Sequence, residues 1–245
     1  MSHSISIMHN LRPILASIDA THVPAKPVGD PEPPPPADPF ITISRQPGAG
    51  AWKIAQEFVG AINAADPAAP RWTCWDRELV EKVSADHKVS ERLIDSLDTG
   101  DHSWITDLFS GFSLSENQDD VAIYHRVVKT VRALAQAGRV VLVGRGAVFA
   151  TQNMEGGIHI RLVAPRAERI AYIMQSMNMN RQRSEAWIAE REKARAAFYK
   201  RFWPGRALEP ESFTITLNTA RVDAATMIAV LSALVKRVTR AEVLR

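Results

Sequence analysis

The sequence predicts an α/β fold in which an open, parallel, five-stranded sheet is covered by helices on both faces. After about residue 38, short apolar runs alternate with helical stretches, and the run 140–143 reads Val-Val-Leu-Val. A continuous apolar run of this kind suits a strand of a parallel sheet that is buried on both faces. Right-handed crossovers then favour an open, doubly wound sheet of three layers, in which a ligand lies at the carboxyl ends of the strands.

The first 38 residues are predicted to form a disordered or weakly helical tail. Segment 23–39 reads VPAKPVGDPEPPPPADP, and so many prolines remove backbone donors and favour an extended linker. Ahead of this linker, apolar residues at helical spacing fit a short docking helix or a frayed tail equally well. Those residues are Leu11, Ile14, Leu15 and Ile18. Residues 39–245 are expected to form one domain.

Short apolar runs of β type mark the strands of this domain. The five predicted strands are 40–44, 72–75, 140–143, 158–163 and 213–217. The glycine-containing stretch after the first strand leads into a helix over 52–64, which makes a βα unit. Because the strands alternate with helices, crossover connections and hence parallel pairing are expected.

The helices are predicted from apolar residues that recur on one face. They cover 52–64, about 77–85, 91–97 and 121–135, and the last of these is expected to end at Gly138 in a left-handed cap. A later helix is predicted to pack through one face made of Trp187, Arg191, Ala194 and Phe198. The segment 99–120 is polar with scattered aromatics and is expected to be irregular or weakly helical.

Composition excludes several classes of protein. The chain carries 30 Lys and Arg against 27 Asp and Glu, and a net charge of +3 does not by itself indicate a nucleic-acid partner. Its single cysteine, Cys74, excludes an intramolecular disulfide framework, and no zinc-type Cys/His spacing occurs. No apolar run reaches the roughly 18 residues of a membrane span, and the start lacks the pattern of a signal peptide. We therefore expect a soluble, cytoplasmic protein.

The turn after the first strand contains two glycines and is a candidate phosphate site. In ITISRQPGAGAWKIAQEF, Gly48 and Gly50 stand between a strand and a helix, where backbone amides and a helix N-terminus can surround a phosphate. Glycine permits close approach and unusual dihedrals. A tight turn without a ligand explains the same pattern. The predicted phosphate-binding residues are Gly48, Ala49, Gly50, Ala51 and Trp52.

Polar residues that follow other strands are further candidates. Asp76 follows the second strand, where it either contacts a ligand or caps a helix. Arg145 stands between two glycines after the third strand, and its planar fork can bind a phosphate through two hydrogen bonds. Between Arg181 and Arg206, eight Lys or Arg and three Asp or Glu give a local net charge of +5, which fits an anion-binding helix or a solvated one.

Five motifs together resemble the cytidylate kinase-like family over roughly residues 40–221. They are ITISRQPGAGAWKIA, WDRELV, VVLVGRGA, KARAAFYKRF and TLNTAR, in that order. The family is similar to bacterial cytidylate kinases, which are P-loop nucleoside monophosphate kinases with a mobile lid. The resemblance implies a P-loop-type fold with a helical lid and ATP-dependent, magnesium-assisted phosphoryl transfer to CMP or dCMP.

The resemblance also implies roles for particular residues. Asp76 and Arg77 would contact the substrate, as would Arg145, and Arg191 and Arg195 would be lid arginines that act on the transferred phosphoryl group. Residues Asn218 and Thr219 match a family loop that lies near adenine.

The glycine turn departs from the full phosphate-loop pattern G-x-x-x-x-G-K-[ST]. Arg45 stands at its first glycine, Ala51 at the lysine and Trp52 at the Ser/Thr position. We hypothesise that Arg45 is catalytic and supplies a substitute charge; the alternative is that it pairs with a surface carboxylate. The missing lysine also leaves open a non-catalytic, nucleotide-binding regulatory protein. A nucleic-acid binder is disfavoured because stacking aromatics and a broad basic surface are not evident.

Overall fold

The structure is a computed structural model, and it describes residues 38–76, 80 and 118–243. The predicted N-terminal tail lies outside these residues except for Asp38, and so do Arg77, the predicted helix 91–97 and nearly all of the predicted helix 77–85. Only the last three residues of segment 99–120 are described, and they are helical. Among the described residues, no helix combines the length and the apolar character that a membrane crossing requires.

Strands and helices alternate along the described chain as the sequence predicted. The strands are β1 (Phe40–Arg45), β2 (Thr73–Asp76), β3 (Val140–Val143), β4 (Gly157–Val163) and β5 (Ile215–Asn218). The helices are α1 (Ala51–Ala65), α2 (Gln118–Ala137), α3 (Ala147–Thr151), α4 (Arg166–Met177), α5 (Arg181–Phe202) and α6 (Ala224–Val243). Gly138 has a φ of 70°, which confirms the left-handed cap predicted after α2.

The five strands form one parallel sheet in the order β2-β3-β1-β4-β5. The central strand β1 pairs with both β3 and β4, and Thr42 lies opposite Leu142 on one side and His159 on the other. The predicted α/β fold is confirmed. Since the chain order reverses around β1, the carboxyl ends of β1, β3 and β4 form the edge where this class of sheet binds ligands.

The two faces of the sheet pack against different helices. One face presents Ile41 and Ile43 to α1 and α6, in a core that also contains Phe58 and Leu231. The other face presents Phe40 and Leu142 to α2 and α3. Because side chains alternate along a strand, a single strand such as β1 contributes to both cores.

Helices α4 and α5 pack against each other through Ile170, Ile173 and Ile188. They cover the part of the chain where the resemblance implies a helical lid, and α5 is called the lid helix below. The C-terminal part of α5 rejoins the domain, where Phe198, Phe202 and Trp203 pack with the α2 and α3 core. The lid helix is therefore anchored to the domain beside the carboxyl edge of the sheet.

Two local predictions were wrong. Strand β5 begins at Ile215 because the preceding residues Pro210–Ser212 form a 3-10 turn, so Phe213 lies outside the strand. The packed face predicted for α5 is also wrong: Arg191 and Ala194 are exposed, whereas Ser184 and Ile188 are buried. Charged residues occur all around this helix, so its apolar spacing alone did not define the buried side.

Candidate functional site

The turn between β1 and α1, residues Arg45 to Trp52, is called the glycine loop below. Its fold is fixed by a hydrogen bond from the Ala49 amide to the Gln46 carbonyl and by left-handed backbone at Gly48 and Gly50, with φ of 84° and 71°. Gly50 is the N-cap of α1 and offers no side chain to the first-turn amides. A loop of this geometry presents backbone donors and the positive end of a helix to an anion.

The lysine nearest to the loop lines the loop cavity and pairs with a carboxylate of its own helix. Lys53 lies one turn into α1, is exposed, and has its Nζ 3.8 Å from Glu57 on the same helix. Trp52, at the position of the loop hydroxyl in the full pattern, is 36% exposed. The positive charge at this edge comes from arginines, among them Arg45 of the loop itself.

Arg169 of α4 links the glycine loop to α5 through hydrogen bonds. This side chain of α4 is buried, donates from Nε to the Ala164 carbonyl (3.1 Å) and from Nη1 to the Pro47 carbonyl (3.2 Å), and bonds Glu192 of α5 at 2.7 Å. A Cβ at Gly48 would lie 2.8 Å from the Arg169 carbonyl oxygen, so the loop and α4 are in close contact. Arg169 thus supports the loop and leaves its amide face to a ligand.

Three arginines from three elements meet near the carboxyl edge, and we call them the arginine cluster: Arg45 of β1, Arg161 of β4 and Arg195 of α5. Burial, together with the charges of Arg45 and Arg161, lowers the pKa of Arg195 to about 10. Its Nε is buried and has no hydrogen-bond partner within the described part of the chain. Arg161 is held in place by a hydrogen bond to the Leu208 carbonyl and by the Phe213 ring, 5.5 Å away.

The cluster brings three positive charges together. Among the described residues, Glu192 is the carboxylate whose charge raises the pKa of Arg195, but its oxygens already contact Arg166 and Arg169. Like charges held together in a half-buried place destabilise one another, and an anion bound among them would relieve this repulsion.

Of the other predicted site residues, Arg145 and Asp76 lie at the carboxyl edge of the sheet, whereas Arg191 lies apart from the arginine cluster. Arg145 follows β3, donates to the Ala194 carbonyl of the lid helix at 3.2 Å, and lies 4.5 Å above the Phe198 ring. Asp76 ends β2, opposite Val143 of β3, so the two predicted substrate contacts that the structure describes, Asp76 and Arg145, reach the same edge. Arg191 does not join the cluster, because it is exposed and stacks on Trp187 at 4.4 Å.

Two cavities open along the carboxyl edge. The loop cavity, of about 350 Å³, lies beside the glycine loop between α4 and the start of α6, and Tyr172 contributes to its wall. The aromatic cavity, of about 310 Å³, lies beside the ends of β2 and β3, and both Asp76 and Arg145 line it. Its other walls come from α2 and the lid helix, chiefly Tyr124, Val127, Phe198 and Phe202.

Cys74, the single cysteine of the chain, is not suited to covalent catalysis. Burial, with the charge of Asp76, raises the pKa of Cys74 to about 11, so this thiol stays protonated at neutral pH and is a poor nucleophile. The described residues contain no group of three or more His, Cys, Asp or Glu that could hold a metal ion.

Sequence reasoning missed Arg161 and Arg169. A signal for Arg161 exists: in the strand GIHIRLV, polar His159 and Arg161 alternate with apolar residues, which indicates a polar stripe on one face. No comparable signal marks Arg169, because its partners Pro47 and Glu192 are distant in sequence.

Comparison with known proteins shows which family shares these features. The model of the cytidylate kinase-like family matches residues 40–221. No curated protein matches the chain. An uncharacterized protein from Eubacterium ventriosum is similar in structure at 15% identity, with a TM-score of 0.62, over 82% of this chain and 99% of that chain. A shikimate kinase from Bacteroides thetaiotaomicron is similar at 13% identity, with a TM-score of 0.40, over 83% and 97% of the two chains.

Proposed function

Because the chain belongs to the cytidylate kinase-like family, we propose that it is an ATP-dependent kinase whose acceptor is a nucleoside monophosphate. The observation that carries this proposal is the arginine cluster at the strand edge where both cavities open. In phosphoryl transfer the protein mainly positions two substrates and stabilises charge on the transferred group. A group of arginines at the sheet edge that a donor and an acceptor cavity share suits that task.

The loop cavity is the proposed donor site. The phosphates of ATP would be held by the glycine loop, through the backbone of Gly48, Ala49, Gly50, Ala51 and Trp52. The adenine would lie against the Tyr172 ring and the loop that begins at Thr219, both of which line the cavity. Tyr172 already packs near the loop, since a Cβ at Gly50 would lie 3.4 Å from its ring.

Magnesium is expected to enter as its ATP complex. Trp52 stands where the loop hydroxyl would bind the ion, and the described residues build no carboxylate cluster for it. The residues of this part of the chain therefore do not fit a magnesium site of their own. Magnesium commonly keeps several waters and binds through substrate phosphates, so we assign the chain no step through the metal.

The aromatic cavity is the proposed acceptor site. Arg145 would bind the acceptor phosphate, with Asp76 and the neighbouring Arg77 as further substrate contacts. CMP and dCMP are the first acceptors to test, and their choice rests on the family.

The arginine cluster would act on the transferred group. An oxygen of the acceptor phosphate attacks the γ-phosphorus of ATP, the bond to the bridging β–γ oxygen breaks, and ADP leaves. Arg45 and Arg195 would stabilise the equatorial oxygens, and Arg161 would add to the positive field. Arg191, the second proposed lid arginine, would have to leave the Trp187 ring to take part.

The test is ADP release from ATP and magnesium, measured with a panel of nucleoside monophosphates. Turnover that depends on CMP or a related acceptor, and that Arg145→Ala reduces mainly through a higher KM for the acceptor, supports the proposal. Absence of acceptor-dependent turnover over the whole panel contradicts it.

A second function is a nucleotide-binding regulatory protein that does not transfer phosphate. Ala51 and Trp52 in place of the loop lysine and hydroxyl favour this alternative, because the lysine normally stabilises the transferring group. Saturable ATP binding without turnover by any acceptor would select it.

A further inference from the structure

The carboxylate of Glu192 connects the lid helix α5 to two arginines of α4. Its Oε1 accepts a hydrogen bond from Arg169 at 2.7 Å, and its Oε2 accepts one from Arg166 at 3.2 Å. The side chain of Arg169 is 7% exposed, whereas that of Arg166 is 53% exposed. Exposed ion pairs contribute little, because water and salt screen them and long side chains lose entropy. The bond to Arg169 is therefore the contact that fixes the position of Glu192.

Arg169 is in turn hydrogen-bonded to the glycine loop. The Nη1 atom that bonds Glu192 also donates to the Pro47 carbonyl at 3.2 Å, and Nε donates to the Ala164 carbonyl at 3.1 Å, directly after β4. A guanidinium is planar and presents its donors in a fixed fork, so the directions of these bonds are set together. Two hydrogen bonds through one nitrogen thus join the loop to α5.

Arg195 lies one helical turn beyond Glu192 on α5. Residues three apart on a helix are surface neighbours, with Cβ atoms about 5–6 Å apart. Burial and the neighbouring arginines lower the pKa of Arg195 to about 10, and the charge of Glu192 acts in the opposite direction. The turn of α5 that is bonded to the loop through Arg169 therefore also carries an arginine of the cluster.

We propose that Glu192 is a positioning residue: through Arg169 it holds α5 against the glycine loop, so that the loop amides and Arg195 act on the same phosphate chain. The proposal rests on the proposed function and deepens it. Glu192 acts through its arginine partner and is assigned no contact with the substrate. A misplacement of about 1 Å at a reacting centre can cost about 10²-fold in rate, so a link that fixes this geometry has a measurable effect.

Charge and positioning predict opposite results for Glu192→Ala. By charge alone, a carboxylate beside the arginine cluster repels a phosphate, so its removal should tighten ATP binding. By positioning, its removal should lower kcat by roughly 10- to 100-fold and raise the dissociation constant of ATP, although a negative charge is lost. Turnover with the proposed acceptors and calorimetry with magnesium ATP measure both. An unchanged kcat with equal or tighter ATP binding overturns the proposal.

Two matched variants separate the link from its surroundings. Glu190→Ala removes a carboxylate from an exposed position of the same helix, and Arg166→Ala removes the exposed partner of Glu192. Both should keep kcat and the dissociation constant of ATP within about threefold of the wild type, which is the effect of an exposed charge or charge pair. A loss in Arg166→Ala as large as that in Glu192→Ala contradicts a link that runs through Arg169.

A double-mutant cycle with Arg195→Ala separates positioning from a general loss of structure. If Glu192 acts by placing Arg195, its loss should lower kcat much less once Arg195 is absent. A general structural defect would lower kcat equally in both backgrounds, so additive losses overturn the proposal. Glu192→Gln keeps one acceptor oxygen for Arg169 and should recover part of the kcat that Glu192→Ala loses. Denaturant unfolding of each variant checks that it is folded.

The same cycle distinguishes failure of this proposal from failure of the proposed function. If ATP binds but no acceptor is phosphorylated, phosphoryl transfer is refuted, and the dissociation constants of ATP in the four proteins of the cycle decide the role of Glu192. Non-additive constants then support positioning. Additive constants, or no binding of ATP by the wild type, overturn it.

Discussion

Two successive positions along the paired strands β1 and β4 hold polar side chains in opposite electrostatic environments, and we call them the inner and the outer level. At the inner level, Thr42 of β1 lies opposite His159 of β4, and a hydrogen bond of 2.8 Å joins Thr42 Oγ1 and His159 Nδ1. At the outer level, two residues further along both strands and on the same face, Ser44 lies opposite Arg161. The inner pair is neutral and satisfied, whereas the outer level adds to a cluster of like charges.

The electrostatics differ accordingly. Burial lowers the pKa of His159 to about 4, so the imidazole is neutral at physiological pH and costs no ionic desolvation. Arg195, beside the outer level, stays charged although burial and two neighbouring arginines disfavour its charge. Polar side chains are thus paired with each other where they support the fold, whereas three arginine charges lie together where we propose that a phosphate binds. The following variants test that contrast.

The largest effect is expected at Arg195. Arg195→Ala should lower kcat/KM by roughly 10²- to 10³-fold, because one donor to a developing charge contributes about that much. Its unfolding free energy should change little, because the packing lost with the aliphatic part of Arg195 and the charge repulsion that is relieved oppose each other. Arg183→Ala, on the exposed start of the same helix, is the control and should match the wild type. A parallel loss of activity and stability at Arg195 would indicate a structural role.

The lowered pKa of His159, at the inner level, predicts that the stability of the fold depends on pH. An unfolded histidine protonates near 6.5, whereas His159 in the fold protonates near 4, so the unfolded state binds more protons between these values. Stability should therefore be full above pH 6.5 and fall toward pH 4, by at most about 3 kcal/mol. Denaturant unfolding between pH 7 and 4 measures it. His159→Gln should flatten this pH dependence, and an unchanged slope would refute the assignment.

Loss of Arg161 should lower kcat/KM less than loss of Arg195, because we expect Arg161 to contribute only its electrostatic field. Arg161→Gln is expected to lower kcat/KM by about tenfold and to reduce the rise in Tm that ATP produces, because one unit charge of the cluster is lost. Arg161→Lys keeps the charge and should retain most of the activity. Full activity of Arg161→Gln would show that the charge of Arg161 does not contribute to activity.

The smallest effect is expected at Thr42. Thr42→Val leaves the buried Nδ1 of His159 without its partner and should cost about 1–2 kcal/mol of unfolding free energy, with little change in KM. Thr216→Val, at an exposed position of strand β5, is the matched control and should stay within about 0.5 kcal/mol. Loss of activity without loss of stability in Thr42→Val would show that the inner level also serves the ligand.

The strands were predictable because their signal is local. A parallel strand covered on both faces needs a continuous apolar run, and Val140–Val143 was assigned to the residue. The glycine loop was equally readable, since left-handed backbone at Gly48 and Gly50 requires glycine where a strand turns into a helix. The alternation in β4 also held a signal for Arg161 that the sequence analysis did not use.

The buried side of the lid helix α5 could not be predicted from local sequence patterns. The buried side of α5 passes through Ile188 and includes the half-buried Arg195, and not the exposed Arg191, because contacts with α4 and with the strand ends select it. Both arginines fit the sequence pattern equally, and only their positions in the fold separate them.

The sequence by itself determined the parallel sheet, the glycine loop and the local excess of positive charge between Arg181 and Arg206. Each of these depends on residue type and short-range spacing. Only the tertiary structure decided which arginines meet, that Arg169 holds the loop through the Pro47 carbonyl, and that Trp203 donates to the Tyr124 hydroxyl. These outcomes depend on distances between residues far apart in the chain, and no local pattern encodes such distances.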